Sequence, residues 1–149
     1  MQVTRYTSNL QNASRLCKVY FMKKSATEIS IPDDHRSACP VACVLDILGD
    51  KWTLIVVRDL FLGKHRFGEF QASPEAIPTN ILAGRLKRLE AAGLIKKEFY
   101  QDNPPRAEYF LTSRGAALGP ILMAMREWAE QYIPGVALLE NIPPPEIRD

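Results

Sequence analysis

Cysteine and histidine are scarce in this chain of 149 residues: it has three of the first and two of the second. So small and odd a number of cysteines cannot form a disulfide framework, and the thiols are expected to stay reduced, as in a cytoplasm. Cys39 and Cys43 stand one helical turn apart with His35 just upstream. No closely spaced Cys-x-x-Cys pair accompanies them, so no metal is expected. Long apolar runs are also missing. None approaches the ~18–20 residues of a membrane-spanning helix, and Lys18 breaks Leu16–Met22, the one candidate for a leader's apolar region. A membrane is therefore not an expected partner. Nor is there a G-x-S-x-G, an H-E-x-x-H, a P-loop or a dinucleotide fingerprint. Nothing argues for an enzyme or a cofactor.

What is present suits one globular domain with tails: 46% apolar and 24% charged residues. The net charge of +2 is unevenly spread. Residues 1–38 and 50–115 each carry an excess of three positive charges, and residues 116–149 an excess of three negative ones. A basic middle points to a polyanion as its partner.

Residues 1–38 are polar and without sustained periodicity, and read as a mobile arm. Met22-Lys23-Lys24 looks like an ordinary start, which makes residues 1–21 a candidate upstream artefact. Regularity begins at Cys39. Pro40 suits a first helical turn, Val41, Val44, Leu45 and Leu48 recur at helical spacing, and Gly49 stops the helix. Asp50 is a good N-cap for a second helix through Trp52 to Leu62, apolar on nearly every side and so expected at the centre. A short third helix follows from Phe67 to Gln71. A fourth runs from Pro78 to Ala92, with Leu82, Leu86 and Leu89 as its stripe and Gly93 as its stop. The period then shifts to two. Leu94–Tyr100 and Arg106–Leu111 read as paired strands joined by residues 101–105. Thr112 or Ser113 caps a last helix reaching Ile133, and residues 134–149 form a tail, apolar and then proline-rich.

This order predicts a mainly α (α+β) fold: a winged helix-turn-helix with a two-stranded wing hairpin and terminal dimerisation helices. The helix from Pro78 would enter the major groove of double-stranded DNA. Its outward face holds Thr79, Asn80, Ala83, Gly84 and Lys87, flanked by Arg85 and Arg88. Asparagine can read adenine, and arginine or lysine can read guanine or hold phosphate. Small Ala83 and Gly84 would let the backbone approach the bases. A glycine costs ~1 kcal/mol inside a helix, so Gly84 calls for a reason; close packing against another helix is the alternative one. Lys51, Lys64, His65, Arg66, Lys96, Lys97, Asn103 and Arg106 stand where phosphate contacts from the helix ends and the wing would fall. A winged-helix module that binds an acidic protein remains the competing reading.

The motifs in sequence are Cys39-Pro40-Val41, Leu45 to Thr53, Arg58-Asp59-Leu60, Arg66 to Phe70, Ile77 to Ile95, Pro104 to Tyr109, and Leu111 to Gly115. In that order they resemble the HxlR-type winged-helix transcriptional regulators, relatives of the MarR group, over about residues 39–133. The resemblance implies a bacterial, homodimeric, sequence-specific regulator acting on an inverted repeat. It implies dimerisation through the first and last helices, here Val41, Leu45, Leu118, Ile121, Leu122, Met125 and Trp128. It also implies that Cys39 is a candidate redox sensor for a small electrophile or oxidant. The positive end of a helix makes a thiol there more reactive. The other reading of Cys39 is a small residue packed at the dimer interface.

Overall fold

The computed structural model describes residues 39–136 and 144–149. The arm, with Cys17, His35 and the candidate start, lies outside the described residues.

Helix α1 (Pro40–Leu48) begins on its proline and closes at Gly49, whose N–H reaches the Leu45 carbonyl at 2.8 Å. A Cβ at Gly49 would collide with that carbonyl. Asp50 then caps as the sequence suggests. Its carboxylate accepts the N–H groups of Trp52 and Thr53 at 2.9 and 3.1 Å, and the Thr53 hydroxyl as well. Because Lys51 and Trp52 form the capped turn, α2 starts at Thr53 rather than directly after Asp50, and runs to Phe61. Burial works against ionising the Asp50 carboxyl. The hydrogen bonds from Thr53 and Trp52 and the nearby Arg85 outweigh it and hold the group below the ordinary aspartate value.

Helix α2 is the central one, burying Val56, Val57, Leu60 and Phe61 together with Thr53 and Asp59. A buried carboxylate is costly unless paired. Arg58 lies 2.7 Å and Lys64 3.2 Å from the Asp59 carboxylate, and the Ser73 hydroxyl donates to it. In the short α3 (Phe67–Gln71), Glu69 accepts the His65 and Arg66 N–H groups at 2.7 and 2.8 Å, closing the helix start. Helix α4 (Thr79–Ala91) buries Leu82, Leu86 and Leu89, the stripe read from the sequence, and the chain turns at Gly93 with a φ of +66°.

The hairpin pairs β1 (Ile95–Asp102) with β2 (Pro105–Leu111), antiparallel, with Ile95 opposite Leu111. The strands are longer than expected. Gln101 pairs with Arg106 and Asp102 with Pro105, which shortens the five-residue loop to Asn103 and Pro104. The register slips between Phe99 and Gln101, and Phe99 and Tyr100 are both exposed. On the far edge of β2, the Tyr109 N–H donates to the His65 carbonyl at 2.9 Å and Arg66 bridges to Glu108.

The last helix is interrupted. In place of one element there are two, α5 (Ser113–Ala116) and α6 (Gly119–Tyr132). Thr112 caps the first through the Gly115 N–H at 3.1 Å. Pro120 has no N–H to offer the Ala116 carbonyl, so α5 cannot continue through it. Gly115 sits under the Leu94 backbone, where a Cβ would clash with the carbonyl. Among the described residues, one apolar core joins α2, α4 and the hairpin base to Leu48, Phe70 and Ile77.

Candidate nucleic-acid interface

Helix α4 has two faces with opposite fates. The leucine face is sealed against the core at 0–2% exposure. On the other side Thr79, Asn80, Ala83, Gly84 and Lys87 are all exposed. Beyond its chain neighbours and the backbone of its own helix, nothing lies within 4 Å of where a Cβ on Gly84 would sit. Packing within the chain therefore does not explain that glycine. The opening of α4 is tied to α3 by Gln71, whose side-chain amide donates to the Thr79 hydroxyl at 2.7 Å.

The flanking arginines reach toward the α1–α2 turn, Arg85 half-buried and Arg88 exposed. Arg85 places its Nε 2.9 Å from an Asp50 carboxylate oxygen, and Arg88 donates to the Asp46 carbonyl. Both latch α4 to the α1–α2 turn, because the acceptors there lie within reach of long side chains. They orient the helix, and the outward face is left to Thr79, Asn80, Ala83, Gly84 and Lys87.

The cations at the edges divide in the same way. Lys64 neutralises Asp59 and donates to the Ser73 hydroxyl at 2.5 Å. His65 stacks on Phe110 with ring centroids 4.6 Å apart, and its Nδ1 lies 2.9 Å from the Tyr109 carbonyl. These two hold the fold. Arg66 is exposed but pairs with Glu108 at 2.8 Å and covers the Tyr100 ring. Lys96 donates to the Asp149 backbone oxygen at 2.7 Å. Lys51 and Lys97 lie over Trp52 and Phe99, each 4.7 Å from the ring centre. Asn103 and Arg106 are exposed at the hairpin tip.

The Asp59 network has only a faint trace in the sequence, a lone carboxylate between the apolar pairs Val56-Val57 and Leu60-Phe61. So has the bidentate Arg58–Glu75 pair, with contacts of 2.5 and 2.9 Å. Burial opposes ionisation of Glu75, but the hydrogen bond from Arg58 dominates and brings its carboxyl down to about 2.

On the side carrying α1 and α6 the surface is apolar. Val41 and Leu45 are 66% and 52% exposed, and Met125 and Trp128 51% and 59%. A groove of about 650 Å³ runs over Ile121, Met125, Trp128 and Ile133. A smaller one of about 290 Å³, lined by Val41, Val44 and Leu45, shares Ile121 with it. Leu118 and Leu122, expected on this face, instead pack against the core of their own chain. Cys39 is exposed at the start of α1 and Cys43 half-buried one turn later. Among the described residues no group of acidic, histidine and cysteine side chains could hold a metal ion. No helix among them is long and apolar enough to cross a membrane.

A sequence model of the HxlR-like helix-turn-helix family matches residues 47–136. The chain belongs to that family. Among its HxlR-like relatives is the uncharacterized HTH-type transcriptional regulator YdeP of Bacillus subtilis (strain 168), 37% identical over 80% of this chain and 93% of YdeP. Of the solved structures, PA1607, described as a putative transcription factor, is 37% identical with a TM-score of 0.62, over 76% of this chain and 86% of that one. The redox regulator HypR in its oxidized form is 41% identical with a TM-score of 0.57, over 62% of this chain and 96% of that one. Its HxlR-like character makes the chain a helix-turn-helix transcriptional regulator rather than an enzyme. The family match ends at residue 136, so residues 144–149 lie beyond it.

Proposed function

We propose that the chain regulates transcription as a homodimer that reads an inverted-repeat operator with one α4 per subunit. The observation that carries this reading is the outward face of α4. Asn80 and Lys87 flank two small residues, and the space over Gly84 is open. A helix laid in a major groove needs small residues where its backbone meets the base edges and polar ends where it reads them. Lys97, Asn103 and Arg106 on the hairpin, with Lys51 at the α2 turn, supply sequence-independent phosphate contacts.

The exposed apolar face of α1 and α6 supports pairing of two copies. An apolar patch with grooves of this kind is uncommon on a monomer and marks an interface. Two-fold pairing would repeat α4 about one turn of DNA, ~10 bp, or a multiple apart.

Cys39 supports a response to oxidants or electrophiles. It is exposed, it precedes the first turn of α1, and it adjoins the apolar face through Val41. Modification there would act on pairing, and through pairing on DNA affinity. HypR, described as a redox regulator, is a precedent among similar structures.

The test combines light scattering with a gel shift on the promoter beside the chain's own gene. The expected result is a particle near twice 16.8 kDa that shifts this fragment, and that loses affinity with diamide or a quinone in wild type but not in Cys39→Ser. A monodisperse monomer that binds no duplex in dilute salt would end the reading. Equal responses of wild type and Cys39→Ser would remove the sensor alone.

A further inference from the structure

Residues 144–149 lie against the hairpin, and their contacts are numerous for so short a segment. Ile147 pairs in parallel with Leu111, and the Arg148 N–H donates to the Leu111 carbonyl at 2.8 Å. The segment thus continues the edge of β2 beyond the point where Arg66 bridges to Glu108. The Arg148 guanidinium lies 2.7 Å from the Glu98 carboxylate and 4.2 Å from the centre of the Phe110 ring. The Asp149 carboxylate accepts the Ser113 N–H at 2.7 Å and the Ser113 hydroxyl. The Lys96 ammonium is thereby captured: it donates to the Asp149 backbone oxygen at 2.7 Å and lies 3.8 Å from Glu98.

We propose that residues 144–149 are a strap that competes with DNA phosphate for Lys96 at the base of the wing. The proposal rests on the reading of the hairpin as a phosphate contact. An ammonium has three donors; here one is spent on the Asp149 backbone oxygen, and the Glu98 carboxylate 3.8 Å away competes further with an incoming phosphate. Counting side chains alone, Glu146 and Asp149 against Arg148 give the strap one net negative charge, brought to a surface meant for a polyanion. Phosphate gains Lys96 only where the strap lets go. Bound strap therefore lowers sequence-independent affinity and leaves readout by α4 untouched, which favours discrimination over tightness.

The experiment measures fluorescence anisotropy on a short mixed-sequence duplex across a salt series. The proteins are the full chain, a chain ending at residue 143, and a full-length Ser113→Ala/Asp149→Asn variant, each with and without Lys96→Ala, together with Arg106→Ala in the full chain. The double variant keeps the test open where the shortened chain fails to fold. Release of the strap should tighten binding about threefold and steepen the log–log salt slope by about one unit for each lysine gained. Lys96→Ala should change little in the full chain and cancel the gain in the released forms. Lys96→Ala weakening all forms equally would overturn the strap, as would released forms matching the full chain while Arg106→Ala still weakens binding. Binding insensitive to both Lys96→Ala and Arg106→Ala would overturn the strap together with the hairpin's role in DNA contact.

Discussion

Helices α4 and α6 invite comparison. They have 13 and 14 residues, and each carries large apolar side chains at helical spacing on one side. In α4 the stripe disappears into the core, with Leu82 and Leu89 at 0% exposure and Leu86 at 2%. In α6 no residue is buried, and Met125, Trp128 and Tyr132 are all more than half exposed. The amphipathic pattern says only that a helix has a face to cover. What covers it depends on the neighbours the chain supplies. Helix α4 lies against α2 and the hairpin base. Helix α6 begins at the break that Pro120 imposes and meets the core at its start, where Gly119 faces Phe61 and Leu122, with Leu118 just before the helix, packs on the core. The remaining apolar face of α6 has no cover among the described residues, and the proposed second copy would supply one.

The sharpest way to break this comparison is to truncate one residue on each stripe. Leu86→Ala should cost ~2–5 kcal/mol of folding stability, because it empties a closed core site. Trp128→Ala should change the stability of the isolated subunit by under ~1 kcal/mol, as for a surface position, while weakening self-association. Denaturant unfolding of dilute protein, with light scattering at higher concentration, separates the two. A Trp128→Ala variant as unstable as Leu86→Ala would show that α6 packs on its own subunit.

A smaller effect sharpens the part that α2 plays under α4. The Glu75 carboxyl sits at about 2 in the folded chain, against an ordinary value of 4.5. Its pairing with Arg58 therefore contributes stability above about pH 4.5, and that contribution is lost as pH falls toward 2. Glu75 is a third exposed, so screening keeps the contribution at or below ~1 kcal/mol. Unfolding midpoints of Glu75→Gln should converge with wild type through that acid window and lie below it near neutrality. Parallel curves at all pH values would count against the pair.

The smallest effect has opposite signs in two assays. Gly84→Ala should raise folding stability by ~0.5–1 kcal/mol, since the site is helical and open. The same methyl should lower affinity for the operator. A stabilised variant with undiminished affinity would place α4 outside the groove.

Much of this was legible in the sequence because the signals are local. Gly49, Asp50 and Gly93 punctuate the chain as their backbone chemistry predicts, and the leucines of α4 announce its buried face three and four residues apart. Pro120 carried the break between α5 and α6, but the period through Leu118–Trp128 spans it and reads as one helix. The destinations of the cations were not legible. Lys64 finds Asp59 and Ser73 across a turn, and Arg88 finds the Asp46 carbonyl 42 positions away. Charge patterns place such side chains on a surface without saying which acceptors folding brings near. The docking of residues 144–149 was hidden for the same reason, since Ser113, Glu98 and Lys96 are distant in sequence from Asp149 and Arg148.

The face of α4 is tested most directly by the ratio of affinities for the operator and a scrambled duplex of equal length, measured for wild type and Asn80→Ala at one salt concentration. Loss of a bidentate base contact is worth ~1–3 kcal/mol of discrimination, so the ratio should fall about tenfold while affinity for the scrambled duplex holds. An unchanged ratio, with both affinities reduced alike or not at all, would contradict base reading by this helix.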